Sequence, residues 1–455
     1  MFISALQQLC WNPLTLCGFL GTGLYFSIKT NFFQLRHPIL IFRSTFGNMN
    51  KSKSSDGISP LAALSSSLAA CMGTGNIIGV ASALSAGGPG AVFWMVVSAI
   101  LGEMTCCAEN ILGIEYRVKN EKNEWLGGSM MYIEKAFSSR KPACVFSLFC
   151  IAASLGMGNM TQSNAIASSL CTSEKLSPPA VGIALAAVTG LIIFGGVKRI
   201  ASITEKIIPF ASAVFIIALL AVIIKNCRNI PQSIGMILKG SFGLDSVLAG
   251  GAGYGISKAM RVGIARGVFS NEAGLGSSPI VHSAADVRDS VTQGMWGITE
   301  VFTDTVLMCT LTALALLTSG AWNSDSTLTP TQMNTAAFGT VMGSFSSKFV
   351  SASLCIFAFA TIIGWAYYGE KAAEYAFGEK AITAYRAVYL VCAVIGAVSK
   401  LETVWALSDI FNALMAIPNL AALIILRKKA VQPLKTVLPK RNIKLRYYPC
   451  RISLQ

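Results

Sequence analysis

The sequence predicts an all-α integral membrane protein with about eleven transmembrane helices, two of which are interrupted near their centres. The 455 residues are 53% hydrophobic and only 13% charged, and their mean hydropathy is +0.59. A soluble chain would carry about a quarter charged residues. Apolar runs long enough to cross a bilayer recur along the chain, and two of them contain glycine and polar residues at mid-length.

The apolar runs define the predicted spans in chain order. They lie near residues 12–30, 58–86, 89–115, 143–170, 179–196, 204–224, 250–284 (broken), 291–318, 349–377, 383–399 and 402–426. The segment before the first run lacks basic residues, so we expect this run to remain as an anchor and not to be a cleaved signal.

The second predicted span contains the segment Met72–Val80, which reads MGTGNIIGV. Glycine and asparagine disfavour a helix interior, so Gly73, Gly75 and Asn76 predict a break in the helix. Non-helical backbone is tolerated at membrane depth only where it faces protein or a water-filled cavity. One interpretation is therefore a substrate site, and the other is a glycine pair that lets a neighbouring helix pack closely.

A second interruption lies in the seventh predicted span, at Gly267–Gly276, with Asn271 and Glu272 at its centre. Two glycine-interrupted spans in corresponding positions of two halves are typical of secondary transporters, which hold their substrate between the broken helices. The pair of interruptions therefore favours the substrate-site interpretation over close helix packing.

Two further spans carry polar residues on one helical face. In span four, Asn159, Gln162 and Ser163 share a face, which either joins helices or lines a site. Gln162 is the member of this group that we expect to contact substrate. In span nine, Thr361 and Trp365 share a face that we interpret as a cavity wall.

Three acids within predicted spans are candidates for a proton or charge network. Glu300 and Asp304 lie one helical turn apart in span eight, and Asp409 lies in span eleven. Ionisable side chains at membrane depth are functional candidates, because an unpaired charge there is costly. Glu300 and Asp304 would either carry protons, accept hydrogen bonds from neighbouring hydroxyls, or pair with arginine.

The net charge of +15 reflects topology and does not indicate a nucleic-acid partner. If loops alternate between the two sides, 27 of the 36 Lys and Arg residues fall on the side of the tail and 6 on the other. The positive-inside rule then places the N-terminus outside and the C-terminus in the cytoplasm. The two histidines lack ligand partners and the 13 cysteines form no CxxC pair, so we expect no transition metal. The sequence shows nothing that resembles a nucleophile–base pair, so it does not indicate an enzyme.

Several segments of the chain resemble those of one family. They are Gly73–Asn76, Gly87–Trp94, Gly267–Gly276, Gly364–Lys371 and Leu414–Asn419. In this order they are similar to segments of the alanine/glycine:cation symporter family of bacteria and archaea, over nearly the full chain. The resemblance implies sodium-coupled uptake of small neutral amino acids such as alanine or glycine across the plasma membrane (the bacterial inner membrane). It implies membrane lipids as neighbours and no cofactor besides the coupling ion.

The resemblance also implies a LeuT-type fold. Such a fold has two inverted repeats of five spans, each with one discontinuous helix, and here one extra N-terminal helix precedes them. The chain would then divide into a first helix and basic linker (1–57), a first repeat (58–225), a second repeat that opens with an external amphipathic segment (226–426), and a basic cytoplasmic tail (427–455).

The resemblance assigns roles to residues near the breaks. The expected substrate-binding residues are Thr74, Gly75, Asn76, Ile77, Gln162, Phe269, Ser270, Asn271, Thr361 and Trp365. Amides of the first break, with Gln162, would bind the substrate carboxylate, because helix N-termini favour anions. Carbonyls near Phe269 and Ser270 would bind the ammonium group. The expected sodium ligands are Ala69, Met72, Ala360 and Thr361.

The chain departs from the family pattern at several positions. Ala360 stands where serine is usual, so one expected ion-binding hydroxyl is missing and we expect weak sodium binding. Other replacements are Cys71 for a common threonine, Cys106 for a usual lysine, Ser129 for a usual proline, and Ala406 for a polar residue. Two other kinds of protein stay open at this point: a proton-coupled amino-acid transporter of the same fold, and an amino-acid-binding channel or receptor.

The charge asymmetry yields a topology prediction. On a cysteine-free background in intact cells, an impermeant thiol reagent should label a cysteine introduced by Asn323→Cys, because that loop is expected outside. The same reagent should not label Lys440→Cys, which is expected in the cytoplasm. Labelling of Lys440→Cys without Asn323→Cys would contradict the predicted orientation.

Overall fold

The computed structural model describes residues 7, 9–47, 57–120, 123–174, 176–242, 252–287, 289–323 and 327–437. The serine-rich part of the predicted linker (48–56) and most of the predicted basic tail (438–455) lie outside the described residues. Within the described ranges the chain is almost entirely helical.

The first half contains ten helices and one hairpin within the described ranges. They are α1 Pro13–Lys29, α2 Phe33–Arg36, α3 Pro38–Thr45, α4 Pro60–Cys71, α5 Gly75–Gly87, α6 Gly90–Glu115, β1 Val118–Lys119, β2 Trp125–Leu126, α7 Ser129–Phe137, α8 (Arg140–Ala153, a π-helical turn at Ser154–Met160, and Thr161–Glu174), α9 Pro178–Ile193 and α10 Gly196–Lys225. The two strands are antiparallel, with Val118 opposite Leu126.

The second half adds nine helices within the described ranges. They are α11 Ile230–Ser241, α12 Ala252–Asn271, α13 Ser278–His282, α14 (Ser290–Val301, a π-helical turn at Phe302–Cys309, and Thr310–Thr318), α15 Pro330–Met342, α16 Ser346–Phe377, α17 Ala381–Val398, α18 Leu401–Ile425 and α19 Arg427–Val437.

Local sequence explains where several helices begin. The side chain of Asn12 accepts a hydrogen bond from the Thr15 amide at the start of α1, and Ser59 does the same for α4. Asp289 caps α14, and Thr329 forms a reciprocal capping box at the start of α15. Each such cap satisfies amides that the first helical turn leaves without partners.

Length and hydropathy identify a multi-pass membrane protein. Seven described helices are long and apolar enough to cross a membrane, and the bent pair α4–α5 would make an eighth. Three predicted spans fall outside this set: α1 with 17 residues, α9 with 16 residues, and the interrupted α12. The predicted count of about eleven spans, the five-plus-five repeat and the domain boundaries therefore stay predictions.

Both predicted interruptions occur, but the second is shorter than expected. The axes of α4 and α5 differ by 51° across the break that follows Cys71. The second break was predicted across Gly267–Gly276, yet α12 continues as a helix to Asn271. The irregular backbone is confined to 272–277, because Glu272, Gly274 and Gly276 adopt positive φ angles of 58°, 91° and 80°.

The long helix α6 forms the centre of the packing. It lies against α12 and α14 along most of its length, and it also contacts α1 and α11. Small residues allow this approach: a Cβ on Gly263 would lie 2.2 Å from the Ala91 carbonyl oxygen, and one on Gly297 would lie 3.1 Å from that of Cys106. Close approach through glycine is a common way for helices to associate in lipid.

Four helices lie where the sequence predicted loop, linker or tail. The predicted linker contains α2 and α3, the segment between the eighth and ninth spans contains α15, and the start of the tail contains α19. Proline at the first or second position of α3 and α15 is compatible with a helix start. The pattern of hydropathy did not reveal them because they are short or amphipathic.

Candidate functional site

The two broken helices touch each other at their interruptions. A Cβ placed on Gly75 would lie 3.3 Å from both Cα and Oγ of Ser270. A Cβ on Gly73 would lie 2.5 Å from Thr361 Oγ1 and 2.9 Å from Gln162 Oε1. The structure thus brings together the predicted residues from both breaks, from α8 and from α16, all of them buried.

The first break leaves backbone amides available for a ligand. The amides of Ile78 and Gly79 both donate to the Thr74 carbonyl, at 2.8 and 3.0 Å. The amides of Gly75, Asn76 and Ile77 precede them in the first turn of α5, where no carbonyl of the same helix can accept. These amides form the positive end of a half-helix inside the protein.

Gln162 is positioned at this break by its own hydrogen bonds. Its Oε1 accepts from the Thr74 amide at 3.2 Å, and its Nε2 donates to the Met157 carbonyl at 3.2 Å. Of the other polar residues of this face, Asn159 donates to the Tyr389 carbonyl of α17 at 2.6 Å, and Ser163 donates to Asn159 within α8 at 3.1 Å. Asn159 thus joins two helices, whereas Gln162 lies at the first break.

Asp304 connects the two breaks. Its Oδ1 accepts from Asn76 Nδ2 at 2.8 Å, and its Oδ2 accepts from the hydroxyls of Ser270 and Thr305 at 2.8 and 2.7 Å. Asn76 also donates to the Asp304 main-chain carbonyl at 3.0 Å. Among the described residues, no basic side chain forms an ion pair with Asp304, so neutral donors stabilise this carboxylate.

Two polar atoms of the first break are buried without a hydrogen-bond partner. They are Thr74 Oγ1 and Asn76 Oδ1. A buried polar atom without a partner costs about 1–3 kcal/mol, so its presence in a packed interior requires an explanation. A bound ligand that contacts the first break would supply the missing partners.

The second break presents carbonyl groups to the same region. The Ala273 amide donates to Asn271 Oδ1 at 3.0 Å and does not continue the helix to the Phe269 carbonyl. The Asn271 side chain also donates to the Thr305 hydroxyl at 3.1 Å. The last carbonyls of α12, including those of Phe269 and Ser270, thus form the negative end of a helix near the first break.

Glu272 was not among the predicted site residues. Its Oε1 accepts from the Trp365 indole at 2.8 Å, and its Oε2 accepts from the Ser277 hydroxyl at 2.5 Å. Trp365, expected as a pocket wall, therefore also ties α16 to the second break. An acid at the centre of a glycine-flanked interruption is the sequence signal that could have identified Glu272.

The predicted sodium ligands are only partly brought together. The Thr361 hydroxyl lies 2.8 Å from the Ala69 carbonyl and 3.2 Å from that of Phe357. Met72 ends α4 next to the break, and its sulfur accepts from the Ser212 hydroxyl at 3.3 Å. Ala360 belongs to the buried apolar cluster that contains Ala69 and Met72, and it borders an apolar groove lined by α8, α9, α10 and α16. Adjacent helix positions point about 100° apart, which explains why Thr361 and Ala360 face different surroundings.

Asp409, the third acid of the predicted proton or charge network, pairs with an arginine. Asp409 forms an ion pair with Arg266 at 3.3 Å and accepts from Gln7 at 2.5 Å. The Arg266 guanidinium lies 4.8 Å from the Trp405 ring centroid, and Trp405 stacks on Phe269 at 5.0 Å. Asp409 is thus neutralised by an arginine near the N-terminal segment.

Glu300 and Asp304 are also held in different surroundings, although one helical turn separates them. Glu300 contacts His282 at 3.0 Å, and both side chains are fully buried. No role for His282 was predicted, because its partner Glu300 lies in a different helix. Asn334 of α15 was likewise missed: its amide donates to the Ile77 carbonyl at 3.1 Å and so contacts the first break.

Comparison with known proteins gives four similarities. The chain matches the sodium:alanine symporter family over residues 1–446. It is 38% identical over 448 residues to an uncharacterized transporter of Haemophilus influenzae, covering 98% of this chain and 97% of that protein. It is 36% identical over 441 residues to the sodium/alanine symporter AgcS of Methanococcus maripaludis, covering 95% and 96%. The fold is similar to a crystal structure of a manganese transporter of Eremococcus coleocola, with TM-score 0.53, 14% identity, and 86% and 82% of the two chains covered.

The crowding at Gly73 yields a stability prediction. Gly73→Ala should lower the apparent unfolding temperature of the purified protein, because the new methyl would displace the hydroxyl of Thr361 and the amide of Gln162. Overpacking of this kind costs about 1–3 kcal/mol. Gly21→Ala on α1 is the matched control, since nothing lies within 4 Å of its Cβ position. Equal unfolding temperatures for the two variants would contradict the predicted crowding.

Proposed function

The chain belongs to the sodium:alanine symporter family, and we propose that it takes up small neutral amino acids such as alanine or glycine together with sodium, by alternating access. It is a multi-pass membrane transporter and not an enzyme. The alignment with AgcS covers 95% of this chain and 96% of AgcS, which supports proposing the activity of a whole symporter for this protein.

The observation that carries the proposal is the pairing of opposite helix ends. The start of α5 offers amides with partial positive charge, and the end of α12 offers carbonyls with partial negative charge. In this proposal a zwitterionic amino acid binds between these helix ends, with its carboxylate toward Gly75 and Asn76 and its ammonium toward Phe269 and Ser270. The unpartnered Thr74 hydroxyl can donate to the carboxylate, whereas the unpartnered Asn76 Oδ1 can only accept, from the ammonium group or beside a cation.

The surroundings of the breaks support a small and neutral side chain on the substrate. Gly75 and Ser270 are close enough to touch, and the nearby side chains of Ile77, Phe269 and Trp365 are fully or almost fully buried. Among the described residues, no basic side chain reaches the Asp304 carboxylate between the breaks. A substrate with a second carboxylate would therefore enter a site without a counter-charge, at high cost in this environment.

We place the coupling sodium ion between α4 and α16. The Ala69 carbonyl and the Thr361 hydroxyl supply two of its oxygen ligands, and the Met72 carbonyl at the end of α4 supplies a third. Hard cations prefer several oxygen ligands. Ala360 has no side-chain oxygen and borders an apolar groove, so we assign it no part in this site.

The topology proposed for this transporter follows from charge and family. Eleven spans would comprise an N-terminal helix and two inverted five-helix repeats, with α4–α5 and α12–α13 as the discontinuous helices. The bacterial inner membrane is the proposed location, with the N-terminus outside and the C-terminus in the cytoplasm. The four proposed parts are residues 1–57, 58–225, 226–426 and 427–455.

Proton coupling is the second candidate, because two acids and one histidine are buried in the interior. Glu300, Asp304 and His282 are each fully buried. Uptake of labelled alanine into proteoliposomes separates the two candidates when sodium, lithium or only a proton gradient is imposed. Sodium-driven uptake that persists with a protonophore supports sodium coupling, whereas uptake that ignores sodium and collapses with a protonophore supports proton coupling.

The substrate site yields a binding prediction. Asn76→Leu should weaken alanine binding more than about tenfold, or about 1.4 kcal/mol, because Asp304 loses a donor and the leucine fills the space beside it. Calorimetry on the purified protein measures the affinity. Asn164→Leu is the control, since Asn164 is also buried but bonds to the carbonyls of Gly396 and Ser399. Normal alanine binding by Asn76→Leu would place the substrate elsewhere.

The ion site yields a second prediction. Thr361→Ala should abolish the sodium stimulation of alanine uptake, because it removes a side-chain oxygen beside the Ala69 carbonyl. Ala360→Ser should leave the sodium dependence unchanged within about twofold, since residue 360 faces an apolar groove. Initial rates of uptake against sodium concentration measure both. A gain in sodium affinity for Ala360→Ser would show that residue 360 reaches the ion.

A further inference from the structure

One carboxylate holds two half-helices at once. Glu300, in α14, accepts on Oε1 from the Ser67 hydroxyl at 2.5 Å and from the Cys71 thiol at 3.4 Å, both in α4. It accepts on Oε2 from the Ser278 hydroxyl at 2.7 Å, in α13, and it lies 3.0 Å from His282 Nε2 of the same helix. Each oxygen of the carboxylate therefore serves a different broken helix.

The same two half-helices are joined again at their far ends. The Ile58 amide donates to the Ala284 carbonyl at 3.1 Å, and the Asp286 amide donates to the Ile58 carbonyl at 2.8 Å. This parallel bridge connects the residues just before α4 to those just after α13. We name α4 and α13 the bridge-side half-helices. The charge asymmetry of the chain predicts that this side faces the cytoplasm.

An arginine reinforces the bridge. Arg117 Nη1 donates to the carbonyls of Ser283 and Ala285 at 2.8 and 2.6 Å, and its Nη2 donates to the Val287 carbonyl at 3.1 Å. The chain that leaves α13 is thereby attached to the end of α6. The bridge and Glu300 thus connect α4 and α13 at two levels, one near the surface and one fully buried.

His282 is oriented so that it donates to Glu300. Its Nδ1 forms a short hydrogen bond with the amide nitrogen of Gln293, also in α14. An amide nitrogen is a donor, so Nδ1 accepts and the proton of the imidazole lies on Nε2, toward the carboxylate. All the groups around Glu300 in these contacts can donate, which favours a carboxylate that only accepts.

We propose that Glu300 is the latch that keeps the bridge side of the transporter closed, with His282 and Gln293 positioning its donors. This proposal rests on the alternating-access function proposed above. Release of substrate toward the bridge side requires α4 or α13 to move away from α14. Either movement takes the donors away from one oxygen of Glu300, so the carboxylate couples the two half-helices and opposes opening.

Native cysteines report whether the latch is closed. Cys71 and Cys106 lie 3.4 and 3.8 Å from the Glu300 carboxylate and are buried. Cys150, in α8, is equally buried but contacts the Tyr368 carbonyl instead. If the bridge side opens, a small methanethiosulfonate reagent reaches Cys71 or Cys106 before it reaches Cys150. Peptide mass spectrometry measures the three rates in one sample of purified full-length protein.

The test compares Glu300→Gln with Glu103→Gln. The side-chain amide of Glu300→Gln has only one acceptor oxygen. Its nitrogen is a donor and would face neighbouring groups that also donate. In the Glu300→Gln variant the labelling rate at Cys71 or Cys106 should rise at least about tenfold. This is the increase in the open population expected when one charge-assisted hydrogen bond is lost. The rate at Cys150 should not change. Glu103 is also a buried glutamate, but it lines a groove between α3, α6 and α14 and should give wild-type rates.

Smaller changes keep the proposal testable if Glu300→Gln does not fold. Ser67→Ala and Ser278→Ala each remove the donor of the shortest hydrogen bond between Glu300 and one half-helix. Each should raise the labelling rate at Cys71 or Cys106, and the double variant should raise it further, because either half-helix can then move. The apparent KM for alanine outside should rise in proportion to the labelling rate, because fewer molecules face outward. If the variants only damaged the fold, Vmax would fall and the apparent KM would not rise in proportion to the labelling rate.

Two results would overturn the latch. One is wild-type labelling of Cys71 and Cys106 in folded Glu300→Gln and in the double serine variant. The other is an equal increase in Glu103→Gln or at Cys150, which would indicate general loosening. Failure of the proposed function would look different: the wild-type protein would not transport alanine, whereas the labelling comparison does not depend on transport.

Discussion

The structure depends on one constraint, that the backbone must satisfy its own polar groups where no water is present. A helix interrupted at membrane depth violates this constraint, so other helices must supply partners. The second break shows how: its Gly274 carbonyl accepts from Asn419 at 3.0 Å, and its Gly276 carbonyl accepts from Ser129 at 2.7 Å. These donors come from α18 and α7. The candidate site lies where several separate elements converge on the two breaks.

The distribution of charge follows from the same constraint. The interior acids Glu109, Glu272, Glu300 and Asp304 accept hydrogen bonds from amides, hydroxyls, an indole or the imidazole of His282. Arginine and lysine instead pair with acids near the ends of helices, as in the ion pair of Arg386 with Glu370 at 2.7 Å. The interior is therefore rich in acceptors and poor in fixed positive charge. Such an interior suits a transporter that admits a cation and an ammonium group.

The two breaks interrupt their helices by different means. The first uses Gly73 and Gly75, whose missing side chains let Thr361, Gln162 and Ser270 approach. The second uses positive φ angles, one of them at Glu272, where a side chain makes that conformation costly. The bonds of Glu272 to Trp365 and Ser277 hold it there. The acid thus stabilises an unusual backbone and attaches it to α16.

The sequence by itself determined that this protein is helical and membrane-embedded, and where its helices are interrupted, because hydropathy and glycine act locally along the chain. It also predicted a role for Asn76 from its place in the first interruption, and for Gln162 and Thr361 from polar helical faces. Only the tertiary structure decided which distant groups meet. Asp304 serves the two breaks, Asp409 pairs with an arginine, and Glu300 meets His282, since each of these contacts joins residues that the sequence does not show to be neighbours. The second break also begins later than the motif suggested, because the hydrogen bonds of Asn271 and Glu272, not the glycines alone, set where α12 ends.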